Sequence, residues 1–495
     1  MKKLAVAIVG VLLAAPALPA QHRVFSRPAL PTQEDLDRLN LKMSWYTYLP
    51  VDGKRDGIFS VRVDTSQVLV LLRSAVVLAL DPQTGATLWR ARVGLPYVPP
   101  VGFGANSRSV FVAKGVNIYA LDRTNGNPQW EFALPNAPAA APVADEEHIF
   151  VALGTNRLNA YTLPVPGKAV ARAAPVVEKK PEEPMRKSLE SIYQNKRTAS
   201  ILGVTGSSLS SVSAVSSGGQ TVRSIGALAS AMQARSVEGT GLHPEYFWDY
   251  VTETRPETRL EQASILTTDY VFEAGANGLF FTVSKYEPRI VYKFQADAPV
   301  SAGIGSHGDI AYVPSEDYRV YALDIVTAKI LWRFLGGGPI RQQPRVTDDS
   351  VYVAAERAGL YRLDRATGNL LWQNREAERF LAANPKFVYA VDPDGKLLVL
   401  DRARGSRLAT YSGTHDYTVT LPNELTDRVF LSSNDGLLIC LHDRDYPRPL
   451  RNKIVEEKKP AGPAPADGKK PAPDKAPVKP TEKPKPKDMD KDEDK

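Results

Sequence analysis

Residues 76–89 read VVLALDPQTGATLW, and three further stretches repeat the frame: NIYALDRTNGNPQW at 117–130, RVYALDIVTAKILW at 319–332 and GLYRLDRATGNLLW at 359–372. In each, an Asp (Asp81, Asp122, Asp324, Asp364) stands eight residues before a Trp (Trp89, Trp130, Trp332, Trp372). Gly85, Gly126 and Gly368 follow the Asp by four residues, and Ala328 takes that place in the remaining copy. A run rich in β-branched and aromatic residues precedes every frame: VLVLL, SVFVA, DIAYV and SVYVAA. Such runs favour strands, and Asp-x-x-Thr-Gly is turn chemistry between two of them. Gly accepts the positive φ of a tight hairpin, while Asp and Thr bond nearby backbone N–H groups.

Weaker copies extend the series. KLLVLDRARGSRLATYSG keeps Asp401 and Gly405 but has Ala409 for the Trp, and GLFFTVSKYEPRIVYKF has Ser284 for the Asp and Tyr292 for the Trp. HIFVALGTNRLNAYT and RVFLSSNDGLLICLHD each supply two strands and then stop. Four strands per unit of about 40 residues predict a propeller blade, whose two apolar faces are covered only by packing against neighbours in a ring. Two Trp residues complete the truncated units. Trp45, in LKMSWYTYLP, predicts an outer strand at Leu41–Leu49 that pairs beside Leu437–Leu441 and closes the circle. Trp248, in HPEYFWDYVTET, fits the missing outer strand of the third unit, which makes 164–244 an insertion in that unit's turn. Residues 41–442, less the 81 of the insertion, leave 321, or about 40 for each of eight blades. Seven blades, with one degraded unit outside the ring, is the alternative. The expected fold is all-β: an eight-bladed β-propeller of four-stranded blades over 41–450.

The pattern Leu-Asp-x-x-Thr-Gly-x-x-x-Trp resembles the repeat of PQQ-type (quinoprotein-like, BamB-like) β-propellers over roughly 41–450, apart from the insertion. The resemblance implies that the Trp lies on the outermost strand and the Leu-Asp on the strand before it. It implies two kinds of activity: a non-catalytic scaffold binding protein partners in the cell envelope, which is the expectation here, or a PQQ-dependent dehydrogenase. The dehydrogenases of this kind hold PQQ near a disulfide between adjacent cysteines, with calcium beside it. This chain has one cysteine, Cys440, and no C-x-x-C-H haem motif. A polysaccharide- or cell-wall-binding propeller, using exposed aromatics such as Tyr246 and Phe247, is a third reading.

The ends read as processing and spacer segments. Lys2 and Lys3, the apolar run Leu4–Ala15 and small residues through Ala20 follow the order of a secretory signal peptide at 1–20. The run is short for spanning a bilayer, an uncleaved anchor being the alternative, and no cysteine follows it to carry a lipid. The expected location is therefore periplasmic or extracellular, with no transmembrane segment in the mature chain. Residues 21–40 are a lead-in. From 451 to 495 the chain is rich in Lys, Pro and Asp and lacks aromatics, a composition that predicts a disordered tail. The insertion combines a Pro-rich linker, a Ser/Gly-rich stretch and two short helix-compatible stretches; it reads either as a partly disordered loop or as a small partner-binding subdomain.

No catalytic, cofactor-binding or metal-ligating residue is assigned. His22, His148, His243, His307, His415 and His442 are scattered, without H-E-x-x-H, and neither a phosphate loop nor a G-x-S-x-G elbow occurs. His307-Gly308-Asp309 reads as a turn and Gly336–Gly338 as an inter-blade loop. The repeated Asp residues read as turn caps, the Trp residues as inter-blade packing, and Cys440 as a small buried hydrophobe. A net charge of +7 over 495 residues gives no ground for a nucleic-acid partner.

Overall fold

The computed structural model describes residues 29–51, 56–95, 98–154, 156–164, 243–252, 259–414, 417 and 419–453. The signal-peptide segment 1–20, most of the insertion 164–244 and the tail beyond 453 lie outside the described residues.

The propeller unit consists of eight four-stranded antiparallel sheets. Blade 1 is Ile58–Val63, Val68–Leu72, Val76–Leu80 and Thr87–Arg92, with neighbours in chain order hydrogen-bonded. Blades 2 to 7 repeat this order over 100–133, 143–251, 265–295, 305–335, 345–374 and 379–411. Blade 8 takes its first three strands from Val419–Leu421, Val429–Ser432 and Leu437–Asp443, and its outermost from β1 (Leu41–Tyr48). Trp45 stands opposite Cys440 and Tyr48 opposite Leu437, as the closing strand requires. Trp248 stands opposite Ala160 in the outer strand of blade 3, so the insertion leaves from the turn between that blade's third and fourth strands.

The core is divided rather than central. Eight apolar clusters each bridge one pair of adjacent blades. Blade 1 shows why its second strand is apolar without interruption. Val68, Val70 and Leu72 face blade 8, whereas Leu69 and Leu71 face blade 2. Successive side chains of a strand point to opposite faces, and here both faces are covered.

A bulge precedes the Trp in every outer strand that carries one, for example between the pairs Ala79↔Trp89 and Leu80↔Thr87. The extra residue turns the indole toward the next blade, and the residue before it, such as Leu88, Leu331 or Leu371, remains exposed on the rim. Five of the six indoles reach the turn of the following blade. Trp45, Trp89, Trp248, Trp332 and Trp372 donate Nε1–H to the carbonyls of Pro82, Arg123, Lys285, Arg365 and Arg402, at 3.0, 2.8, 2.8, 3.0 and 2.8 Å. The acceptor is always the residue after the motif Asp or its Ser284 substitute. Trp45 on blade 8 thus fastens the last blade to the first.

The turn glycine is demanded twice over. Gly405 has φ +71°, and a Cβ there would lie 2.5 Å from Cδ2 of Trp372. Gly85, Gly126 and Gly368 stand against Trp45, Trp89 and Trp332 in the same way. The turn that carries Ala328, φ +61°, follows the blade whose outer strand has Tyr292 in place of Trp. Ala328 thus stands at a junction without an indole, while the blade 4 turn that receives Trp248 has Pro288 in the Gly position.

The junction between blades 7 and 8 lacks a Trp, because Ala409 occupies that position. The lead-in fills it. Helix α1 (Gln33–Arg38) is capped by Thr32, whose hydroxyl accepts from the Asp35 N–H, and carries Glu34 and Asp35 in its first turn. Leu30, Leu36, Leu39 and Leu41 pack with Tyr389, Val399 and Ala409 of blade 7 and with Leu431 and Ile439 of blade 8.

Candidate functional site

The repeated Asp residues are turn caps. Asp81 accepts from the N–H groups of Gln83 and Thr84, both at 2.8 Å, and Asp324 and Asp401 accept from the equivalent pairs. The Thr84 N–H holds the Asp81 carboxyl below its ordinary range, and Thr367 does the same for Asp364. At Asp122 and Asp324, desolvation pushes upward but the turn hydrogen bonds outweigh it. With their lone pairs committed one per blade, these carboxylates do not converge. Among the described residues no group of three or more His, Cys, Asp or Glu is placed to hold a metal ion.

The histidines are equally dispersed. His307 Nε2 lies 2.8 Å from Asp348 Oδ1, and its Nδ1 lies 3.4 Å from Arg365 Nη1, forming a strut from blade 5 to blade 6. His442 Nδ1 bonds Ser44 Oγ at 2.6 Å across the closing strand pair. His243 sits at the end of the insertion, and His22 and His415 lie outside the described residues. His307-Gly308-Asp309 is the hairpin between the first two strands of blade 5. Gly336–Gly338 is an inter-blade loop pressed onto blade 6: Gly337 donates to the Tyr361 hydroxyl, and a Cβ on Gly338 would meet the Glu356 carbonyl. Cys440 is fully buried, and desolvation pushes its thiol up to about 12.

Two surfaces remain with chemistry not absorbed by packing. The first is an aromatic patch where the insertion leaves blade 3. Phe247 (38% exposed) and Tyr286 (55%) flank His148, which stacks on Phe247 with centroids 4.8 Å apart, while Tyr246 (60%) lies against Tyr161. Tyr246 donates to Asp249, which leaves its hydroxyl raised to about 12 by desolvation and that carboxylate.

The second is the inner rim, formed by the first strands. Arg62 of blade 1 keeps solvent contact in a crowded position; desolvation lowers its pKa, Asp64 opposes that, and Arg123 adds to it. Between blades 6 and 7, Arg345 and Arg379 line a cavity of about 320 Å³ with Tyr352, Leu360, Phe380 and Pro422. Gln342 and Gln343 close one side, their amide groups donating to the Glu378 and Ile304 carbonyls. Just outside, Glu424 is held by the Val346 N–H at 3.1 Å and by Lys453 Nζ at 2.9 Å. Lys453 belongs to a strap that continues past blade 8: Leu450 donates to Asp427, Asn452 donates through Nδ2 to Ala383, and the Asn452 carbonyl accepts from Asp348. The first strands carry no motif, so the sequence offered no signal for these arginines. The strap begins in what the composition assigns to the tail.

Eight equivalent sheets closed by a segment from the N-terminal side define a β-propeller built from PQQ-type repeats. The chain belongs to the family described as outer membrane protein assembly factor BamB, whose model matches residues 73–173 and 275–468, more than half of the 495. Among solved structures, the crystal structure of BamB from Moraxella catarrhalis is similar with a TM-score of 0.53 and 12% identity, over 81% of this chain and 97% of that one. The computationally designed Ika8 protein is similar with a TM-score of 0.52 and 11% identity, over 81% of this chain and 99% of that one. At these identities the likeness is one of fold. No curated protein matches the chain.

Proposed function

We propose that this chain is an exported, non-catalytic scaffold that binds protein partners in the cell envelope. The observation that carries the reading is the match of the BamB family model across blades on both sides of the insertion. The architecture supports it: blades fastened by indole-to-carbonyl bonds fix the positions of loops and rim residues, which suits recognition better than a moving site. Export rests on the n-region, apolar run and small residues of 1–20. The insertion, which leaves blade 3 beside exposed aromatics, is the part of the chain best placed to add a second contact surface.

Affinity capture from envelope extract tests this reading, comparing the intact chain with one lacking 165–244. A stoichiometric protein partner retained by the intact ring supports it; capture of nothing above a mock column refutes it. A partner held equally by both forms assigns binding to the ring. The polysaccharide reading is favoured by Tyr246 and Phe247, large aromatic side chains left exposed beside the insertion. Retention on insoluble cell-wall polysaccharide that is lost in Tyr246→Ala/Phe247→Ala would put that reading first. Saturable dye reduction with added PQQ and calcium would instead make the chain a dehydrogenase.

A further inference from the structure

The cavity between blades 6 and 7 has an unusual balance. Its lining contributes two guanidinium groups, Arg345 and Arg379, and no carboxylate. Arg345 is half-buried and makes no side-chain hydrogen bond or ion pair with any described residue. Glu424, the acid nearest in effect, is already occupied by Lys453 and a backbone N–H. Among the described residues Arg379, at the mouth, pairs only with its chain neighbour Glu378 at 3.8 Å, both of them solvent-exposed, a pairing of little strength. Partly desolvated cations in folded chains normally have a counter-charge, because removing a charge from water without one is costly. The opposite wall is apolar: the Tyr352 and Phe380 rings stack with centroids 4.5 Å apart, and Leu360 and Pro422 continue that surface.

We propose that this cavity is a binding site for a small oxyanion carried on an apolar body, a carboxylate or phosphate group set against the Arg345 and Arg379 forks with an aromatic or aliphatic part over Phe380 and Leu360. Guanidinium forks match both head groups in two-point geometry, and a cavity of this size takes a ligand of roughly ten heavy atoms. The assignment is independent of any protein partner, since it concerns the inner rim and not the insertion or the outer strands.

Titration calorimetry of the full chain with phenylacetate, and separately with phenyl phosphate, tests the site and reports the preferred head group. Saturable one-to-one binding of at least one probe is expected, with inorganic phosphate alone about tenfold weaker because it leaves the apolar wall uncovered. Arg345→Gln is expected to weaken binding about tenfold or more, and Arg345→Lys, which keeps charge without the fork, to fall between. Arg379→Gln, at the exposed mouth, gives the same reading if Arg345→Gln fails to fold. Arg289→Gln, on the far rim of blade 4, controls for general charge. Absence of saturable binding by both probes, an Arg345→Gln protein that folds and binds as before, or an equal loss in Arg289→Gln would overturn the assignment.

Discussion

Gly405→Ala measures how much of each blade junction depends on the contact between indole and turn. A Cβ at φ +71° costs about 1–2 kcal/mol in backbone strain alone. It would also lie 2.5 Å from Cδ2 of Trp372, so the indole has to retreat by roughly 1 Å. Trp372 is buried and donates to the Arg402 carbonyl at 2.8 Å. Losing that bond costs about 1 kcal/mol, and forcing the packed ring aside about 1–3 kcal/mol. The substitution should therefore destabilise by about 3–6 kcal/mol. In a Trp372→Ala background only the strain remains, so the same change should cost about 1–2 kcal/mol. Urea denaturation of the four proteins of this cycle, followed by tryptophan fluorescence and far-UV circular dichroism, gives the coupling between the two sites. Ala328→Gly, at a junction without an indole, should be neutral or stabilising by up to about 1 kcal/mol. A Gly405→Ala penalty equal in both backgrounds, within about 0.5 kcal/mol, would show that the positive φ alone demands glycine and would refute the stapled-junction account.

Three further outcomes are expected. Glu273 is fully buried with Ser264 as its hydrogen-bond partner, and desolvation raises its carboxyl to about 8. The folded state then holds a proton that the unfolded chain releases above about pH 4.5, so stability falls as pH rises toward 8, by at most about 1.4 kcal/mol per unit, and levels off beyond. Urea midpoints at pH 5, 6.5 and 8 should show this slope in the wild type and a flatter one in Glu273→Gln; parallel profiles would refute it. Cys440, buried and with its thiol raised to about 12, should resist maleimide at neutral pH in the native protein and react once denaturant is added, as mass spectrometry reads directly. A chain ended at Pro449 should melt below one ended at Lys453, because the buried Asp427 loses the Leu450 N–H and blade 7 loses the Asn452 side-chain bond, a deficit of about 2 kcal/mol. Equal melting temperatures would show that the strap adds nothing.

The strands, the turns and the order of the ring were legible in the residues because each rests on short-range chemistry. Continuous β-branched runs such as VLVLL report burial on both faces. The Asp-x-x-Thr-Gly turns report their own hydrogen bonds, and a Trp at constant spacing reports a repeated environment. Even the closing strand was readable, since Trp45 and the truncated unit ending near His442 each lacked what the other possessed. Tertiary structure alone decided the rest. That Gly405 is held against Trp372, that α1 replaces the indole missing at Ala409, and that Arg345 and Arg379 share a cavity all depend on groups brought together from different blades. A contact across blades can leave a repeated spacing in the chain, but it does not name its partner. A local pattern encodes what a residue does to its own backbone, whereas a site assembled from first strands with no motif exists only once the ring has closed.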